Sequence, residues 1–370
     1  MKYLLLSFLS ALFFSCGNNE ISLAEDKQDR TASSLSQAQL NLVFENSKVF
    51  PENTQIAIAF ISDGNTTFYG IKRENGTIIT FDNSASVFEI GSISKVFTAT
   101  LLAHFVVESK VYLNEPINPY WESTFKGNQK LPFKSLANHT SGLPRLPSNL
   151  NLLTADQNNP YKEYDVQKLT DFLVEDLDLA NETEHPYAYS NLGAGLLGHT
   201  LAKIDDTSYQ LLLQDHITDR FDMKHTTTIR NTVENRLIKG QDPVGNPVPN
   251  WDLNVLAGAG GILSSVSDLS KFALAQLDSL NIDLKLTRKK TASVNENMDI
   301  GLGWHIIKNE NKNDWVWHNG GTGGYTSSMT VDVSAKNAVI ILSNVSAFSD
   351  SMGNMDALGF GLMRTLDSKE

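Results

Sequence analysis

The sequence predicts an α+β fold: one antiparallel sheet built from strands at both ends of the chain, flanked by helices, with a mainly helical region inserted between them. Three observations support this. Near the N-terminal end, Gln55–Ser62, Thr66–Lys72 and Thr77–Phe81 are short β-branched or apolar runs. Asp63-Gly64-Asn65 and Asn75-Gly76 separate them as tight turns, the pattern of an antiparallel meander. Near the C-terminal end, Trp315–His318, Tyr325–Val333 and Ala338–Asn344 alternate or run apolar, with Ser334–Asn337 as a turn. Between about residues 111 and 290 the apolar spacing becomes helical. Two groups of strands that are far apart in sequence most economically share one sheet, with the helices packed on it. The expected globular domain is 36–370, with the sheet in 50–110 and 291–370 and the helical insert at 111–290.

The helices follow in order. Ser36–Ser47 carries Leu40, Leu42, Val43 and Phe44, and Ser36 is its expected N-cap. Val96–Val107 is apolar almost throughout, which predicts a buried helix. Val166, Leu169, Phe172 and Leu173 keep one helical face, and Leu192–Ile204 is a further apolar helix. Ser267–Leu277 has Asp268 in its first turn, and Leu358–Leu366 closes the chain. No internal repeat is present.

Met1-Lys2-Tyr3 followed by Leu4–Phe14 reads as a secretory signal over residues 1–15, too short for a membrane span. The single cysteine, Cys16, follows at once, so no disulfide forms within the chain. Phe13-Phe14-Ser15-Cys16 resembles a bacterial lipoprotein cleavage site, which implies a lipid on Cys16. Residues 16–35 are polar and read as a flexible tether. The expected location is outside the cytoplasm, periplasmic or at the cell surface, anchored to a membrane. The formal charge is −12, without a basic stripe, which argues against a nucleic-acid partner. No H-E-x-x-H or comparable ligand spacing occurs, so neither a metal nor another cofactor is expected.

The chemistry centres on Ser92-Ile93-Ser94-Lys95, which opens the buried helix. Residues three apart share a helix face, so Ser92 and Lys95 point together. A serine is a weak nucleophile until a neighbour takes its proton. A lysine can do so if desolvation lowers its pKa. The helix N-terminus favours negative charge developing at Ser92. Gly91 lets a substrate approach the backbone. A second match, Ser123-Thr124-Phe125-Lys126, lies in a loop-like stretch with no apolar run after it.

Two further stretches complete the set. Tyr189-Ser190-Asn191 sits in a loop, marked by Pro186 and Gly193, that runs into an apolar helix. Tyr189 can act as an acid or base, and Asn191 can donate to a substrate carbonyl and accept from Lys95. Tyr112-Leu113-Asn114 also matches but looks like a helix-exit turn. His318-Asn319-Gly320-Gly321 ends a strand. Its glycines leave the edge open to a substrate, and the Gly321 N–H with that of Ser92 would make an oxyanion hole. His139 reads as a turn stabiliser rather than a second catalytic histidine.

These elements, in this order, resemble the serine β-lactamase and penicillin-binding superfamily. The nearest branch is the class C β-lactamase type, which includes esterases and D-amino-acid peptidases. Phe88-Glu89-Ile90-Gly91, Leu136-Ala137-Asn138-His139-Thr140-Ser141-Gly142-Leu143-Pro144 and Gly258-Ala259-Gly260-Gly261-Ile262-Leu263-Ser264-Ser265, ahead of Asp268-Leu269, belong to the same resemblance. The resemblance implies Ser92 as the acyl-forming nucleophile, Lys95 as its proton partner and Tyr189 as the shared acid or base. Asn191 would orient the substrate amide, and His318, Gly320 and Gly321 would line the substrate edge. It implies an exported hydrolase acting on a small molecule or peptide: a β-lactam, an ester or a D-amino-acid peptide. The alternative is a non-catalytic penicillin-recognising sensor that uses the same pocket. His318 stands where the strict pattern has lysine. Since histidine titrates near neutrality, activity is expected to change through that range. The exposed loop Asn149–Tyr164 is expected to help select the substrate.

Overall fold

The computed structural model describes residues 23–24, 35–179, 185–309 and 312–367. The signal segment, Cys16 and most of the tether lie outside the described residues.

Ten strands form the main sheet: β1 Leu23–Ala24, β2 Gln55–Ser62, β3 Asn65–Glu74, β4 Thr77–Thr80, β5 Ala292–Asn295, β6 Met298–Ile300, β7 His305–Ile307, β8 Trp315–Gly321, β9 Thr326–Asp332 and β10 Asn337–Ser343. Their spatial order is β1-β4-β3-β2-β10-β9-β8-β7-β6-β5. All pairs are antiparallel except β1 with β4. The two ends of the chain meet where β2 lies beside β10, with Ala59 opposite Ile340. Both β2 and β10 read as apolar runs because both sheet faces are covered. Ile56, Ile58, Phe60, Val339 and Ile341 point to one core, and Ala57, Ala59, Ile61, Ala338, Ile340 and Leu342 to the other. This is the two-residue period of a strand. Strands β5 to β7 fall in the expected sheet region, but their three or four residues are too few to show a period.

Helices α1 Gln37–Ser47, α2 Ser94–Val107, α3 Asn191–Ile204, α4 Val266–Leu277 and α5 Asn354–Asp367 cover the sheet or pack in the insert. The start of α1 is fixed by a capping box. The Ser36 hydroxyl accepts from the Gln39 N–H, and the Gln39 side chain accepts from the Ser36 N–H. Helix α1 packs with α5 over one sheet face. Helix α4 covers the other face of β2 and β10, where Phe272 stacks on Phe97 of α2 with ring centroids 4.4 Å apart. Eleven of the fourteen residues of α2 are buried, so an apolar helix without a polar face is the expected sequence there. Helix α3 starts one residue earlier than the apolar run suggested, because Ser190 caps it by accepting from the Gly193 N–H at 2.9 Å. Among the described residues, no helix is long and apolar enough to cross a membrane.

Candidate active site

Ser92 lies in a 3₁₀ turn, Gly91–Ile93, that leads into α2 and rests against β8. The contact is too close for side chains. Gly91 has φ +51°, and a Cβ there would stand 2.5 Å from the Gly321 nitrogen. A Cβ on Gly320 would stand 2.0 Å from the Ile90 carbonyl oxygen. That same oxygen accepts from the Ser327 hydroxyl at 2.8 Å. Two glycines thus let the serine turn touch the strand edge, bringing the backbones of Ser92 and Gly321 to one place.

Lys95, on the first turn of α2, is 2% exposed. Its Nζ donates to Ser92 Oγ at 3.0 Å and to the Ala259 carbonyl at 2.6 Å. Among the described residues no carboxylate pairs with it. Burial without a counter-charge holds its pKa well below the usual lysine value, and the positive charge of Arg145 adds to the effect. The amine is therefore poised to be neutral, with a lone pair available to the serine proton.

Tyr189 enters from a loop stitched to residues 139–145. The Ala188 N–H donates to the His139 carbonyl at 2.8 Å, and the Ser190 N–H to His139 Nδ1 at 3.1 Å. The Ser190 hydroxyl donates to the Pro144 carbonyl at 2.7 Å, and the Asn191 N–H to the Arg145 carbonyl at 2.9 Å. His139 has φ +62° and its ring lies on that of Tyr189, centroids 4.5 Å apart. It holds the tyrosine loop, in keeping with the structural role expected of it. Lys95 Nζ lies 4.8 Å from the centre of the Tyr189 ring, and Arg145 Cζ lies 5.0 Å from it. Burial raises the Tyr189 pKa above the usual tyrosine range, and a hydrogen bond with Ser92 opposes it. The phenol thus keeps its proton.

Ser92, Asn191 and Gly321 share one cleft, walled by Tyr161, Trp251, Leu253 and Leu256. Two expectations need correction. Lys95 spends its hydrogen bonds on Ser92 and Ala259, so Asn191 does not accept from it; the buried Asn191 Oδ1 has no partner among the described residues. His318 does not titrate near neutrality. It is 1% exposed, and burial holds its pKa well below the usual histidine value. Its ring sits 6.3 Å from Tyr189 and 5.2 Å from His305. It does not supply a cation there.

His139, His305 and His318 are all buried with lowered pKa values, that of His305 down to about 4. Below pH 6.5 the unfolded chain binds protons at these positions and the native protein does not. Stability is therefore lost as pH falls from about 6.5 towards the folded values, by up to about 1.4 kcal/mol per pKa unit and histidine. Urea unfolding midpoints should drop between pH 7 and 5, and His305→Gln should flatten that slope. Equal slopes for the two proteins would contradict the assignment.

Sequence reasoning did not single out Arg145, Tyr161 or Trp251. Arg145 follows Leu143-Pro144 directly, but no spacing rule links it to Tyr189. Tyr161 falls inside the loop expected to help select the substrate, whereas Trp251 carries no local signal.

Comparison with known proteins agrees with this geometry. The Beta-lactamase family profile matches residues 55–359. A beta-lactamase from Pseudomonas fluorescens is 25% identical over 261 residues, covering 68% of this chain and 69% of its own. The D-alanyl-D-alanine-carboxypeptidase/endopeptidase AmpH of Escherichia coli strain K12 is 25% identical over 285 residues, 71% of this chain and 70% of its own. A class C beta-lactamase structure from Rhodobacter sphaeroides superposes with TM-score 0.71 at 20% identity, over 90% of this chain and 100% of that one. With a matched profile that spans most of the chain, this protein belongs to the Beta-lactamase family of the serine β-lactamase and penicillin-binding superfamily.

Proposed function

We propose that this protein is an exported serine acyl hydrolase that cleaves an amide or ester through an acyl-enzyme on Ser92. The observation that carries the reading is the 3.0 Å hydrogen bond between Ser92 Oγ and a buried lysine amine that, among the described residues, no carboxylate neutralises. The Ser92 proton passes to Lys95 Nζ while Oγ bonds to the substrate carbonyl carbon. The carbonyl oxygen takes the displaced electron pair and is held by the N–H groups of Ser92 and Gly321. Collapse of this intermediate expels the leaving nitrogen or oxygen, which takes its proton from the Tyr189 phenol. Lys95 returns its proton to Tyr189, and the transient phenolate is stabilised by the ammonium and by Arg145. Water then releases the acyl group by the reverse route. Asn191 orients the acyl amide. Gly320, by lacking a side chain, keeps the strand edge against the serine turn. His318 fills the position of the usual lysine as a neutral ring.

Among acyl donors, β-lactams, esters and D-amino-acid peptides are all compatible with this cleft. The names of the relatives support the first and last, and the absence of a cation at His318 supports esters. Export rests on residues 1–15 and anchoring on a lipid at Cys16.

A fluorophosphonate probe tests the reading. Peptide mapping should find the adduct on Ser92, and a chromogenic ester panel with nitrocefin should show turnover. A stable adduct with no turnover of any acyl donor would instead identify a penicillin-recognising sensor. No adduct at Ser92 would overturn the nucleophile.

A further inference from the structure

The structure places a second cation beside the catalytic groups, and the mechanism uses it only as background charge. Arg145 has an exposed side chain on a fixed backbone. Its carbonyl accepts from the N–H groups of Asn191 at 2.9 Å and Leu192 at 3.2 Å, which ties it to the start of α3. Its guanidinium lies over the Tyr189 ring, 5.0 Å from Cζ to the ring centre. Among the described residues it has no ion pair and no side-chain hydrogen bond. Its charge is felt at Tyr161, Tyr187 and Tyr189, so it lies near both the cleft wall and the catalytic phenol.

Among the described residues, Lys95, His139, His305 and His318 cluster near the reacting atoms, and burial disfavours the charged form of each. Arg145 is the exposed cation beside them, and a guanidinium is a permanent cation in proteins. The chain as a whole carries −12 and repels anions at long range. A guanidinium stacked on Tyr189 near the cleft is a local exception, and its planar fork is the geometry that recognises a carboxylate by paired hydrogen bonds. Its side of the cleft follows from what it is attached to. Arg145 anchors Asn191, which lines the cleft with Tyr161, so a carboxylate reached from Arg145 would belong to the acyl group that Asn191 orients.

We propose that Arg145 is a specificity-determining residue that recognises a carboxylate on the acyl half of the substrate. The substrates it favours are acyl donors derived from dicarboxylic acids or from acidic N-acyl groups. This rests on the hydrolase reading above. It assigns to Arg145, on the loop that holds Tyr189, the fixed positive charge that His318 lacks.

The test holds the leaving group constant. The mono-p-nitrophenyl ester of adipate is compared with p-nitrophenyl hexanoate, a neutral ester of the same length. Wild-type protein should favour the adipate hemiester in kcat/KM, mainly through KM. Arg145→Gln should lower that preference at least 10-fold, and Arg145→Lys should restore part of it. The preference should also shrink as salt is raised, since the charge is exposed. A third substrate puts the carboxylate on the leaving group, 3-carboxy-4-nitrophenyl hexanoate, and Arg145→Gln should affect it less. An adipate preference that survives Arg145→Gln, or an Arg145 effect confined to the leaving-group carboxylate, overturns the proposal.

Failure of the hydrolase reading registers separately, as a Ser92 that fluorophosphonate does not label. The Arg145 site is then judged by calorimetry with monomethyl adipate. Binding lost in Arg145→Gln supports it, and binding unchanged or absent from the wild type overturns it.

Discussion

Ser92→Ala is expected to lower kcat/KM by at least about 10³-fold on every substrate the protein turns over, because it removes the atom that becomes acylated. Alanine leaves the 3₁₀ turn and the backbone N–H of residue 92 in place, so any residual rate reports the oxyanion hole and substrate binding alone. Lys95 loses its bond to Ser92 Oγ and keeps the one to the Ala259 carbonyl at 2.6 Å. Losing two side-chain hydrogen bonds at the cleft, those of Ser92 with Lys95 and with Tyr189, should change stability by about 1 kcal/mol each. The measurement pairs steady-state kinetics with urea unfolding. A rate within 10-fold of wild type, with the fold intact, would place the nucleophile elsewhere and remove the acyl-enzyme from the mechanism.

Gly91 makes such a substitution informative, and its part was only half legible in the sequence. A glycine before the serine suggested close approach of a substrate. The structure shows instead close approach of β8, since a Cβ at residue 91 would meet the Gly321 nitrogen. The pairing of these residues spans most of the chain, and no local pattern encodes it.

The strands were legible where a turn residue and an apolar run coincided, as at Gln55–Ser62 with Asp63-Gly64. The Ser36 cap and the largely buried α2 were legible for the same reason: local chemistry and tertiary environment agree there. The short strands β5 to β7 were not individually readable. Nor was the charge state of His318, because burial depends on neighbours such as His305 that the sequence does not place beside it. Arg145 was hidden for a related reason. Its contact with Tyr189 comes from hydrogen bonds between two loops some fifty residues apart, those of Arg145 to Asn191 and Leu192.

Lys95 carries the second large effect, and it separates the base from the acid. Burial favours the neutral form of its amine and, for the same reason, the protonated form of the Tyr189 phenol. A base must be in its neutral form to work. Wild-type kcat/KM should therefore be full above the lowered Lys95 pKa and fall as pH drops through it. No alkaline limb should appear below about pH 10, because the phenol proton is held above the usual tyrosine value of about 10. Lys95→Arg replaces the amine with a group that stays charged, so loss of general-base function should cost about 10²- to 10⁴-fold. A guanidinium is bulkier than an amine at a 2% exposed position, so Lys95→Met provides the smaller control. Both variants should lose the acid limb in whatever rate remains, since the titrating group is gone. An acid limb that Lys95→Met retains and Tyr189→Phe removes, together with an alkaline limb that Lys95→Met abolishes, would reverse the roles. Tyr189 would then work as a phenolate base, with Lys95 as the cation that sustains it.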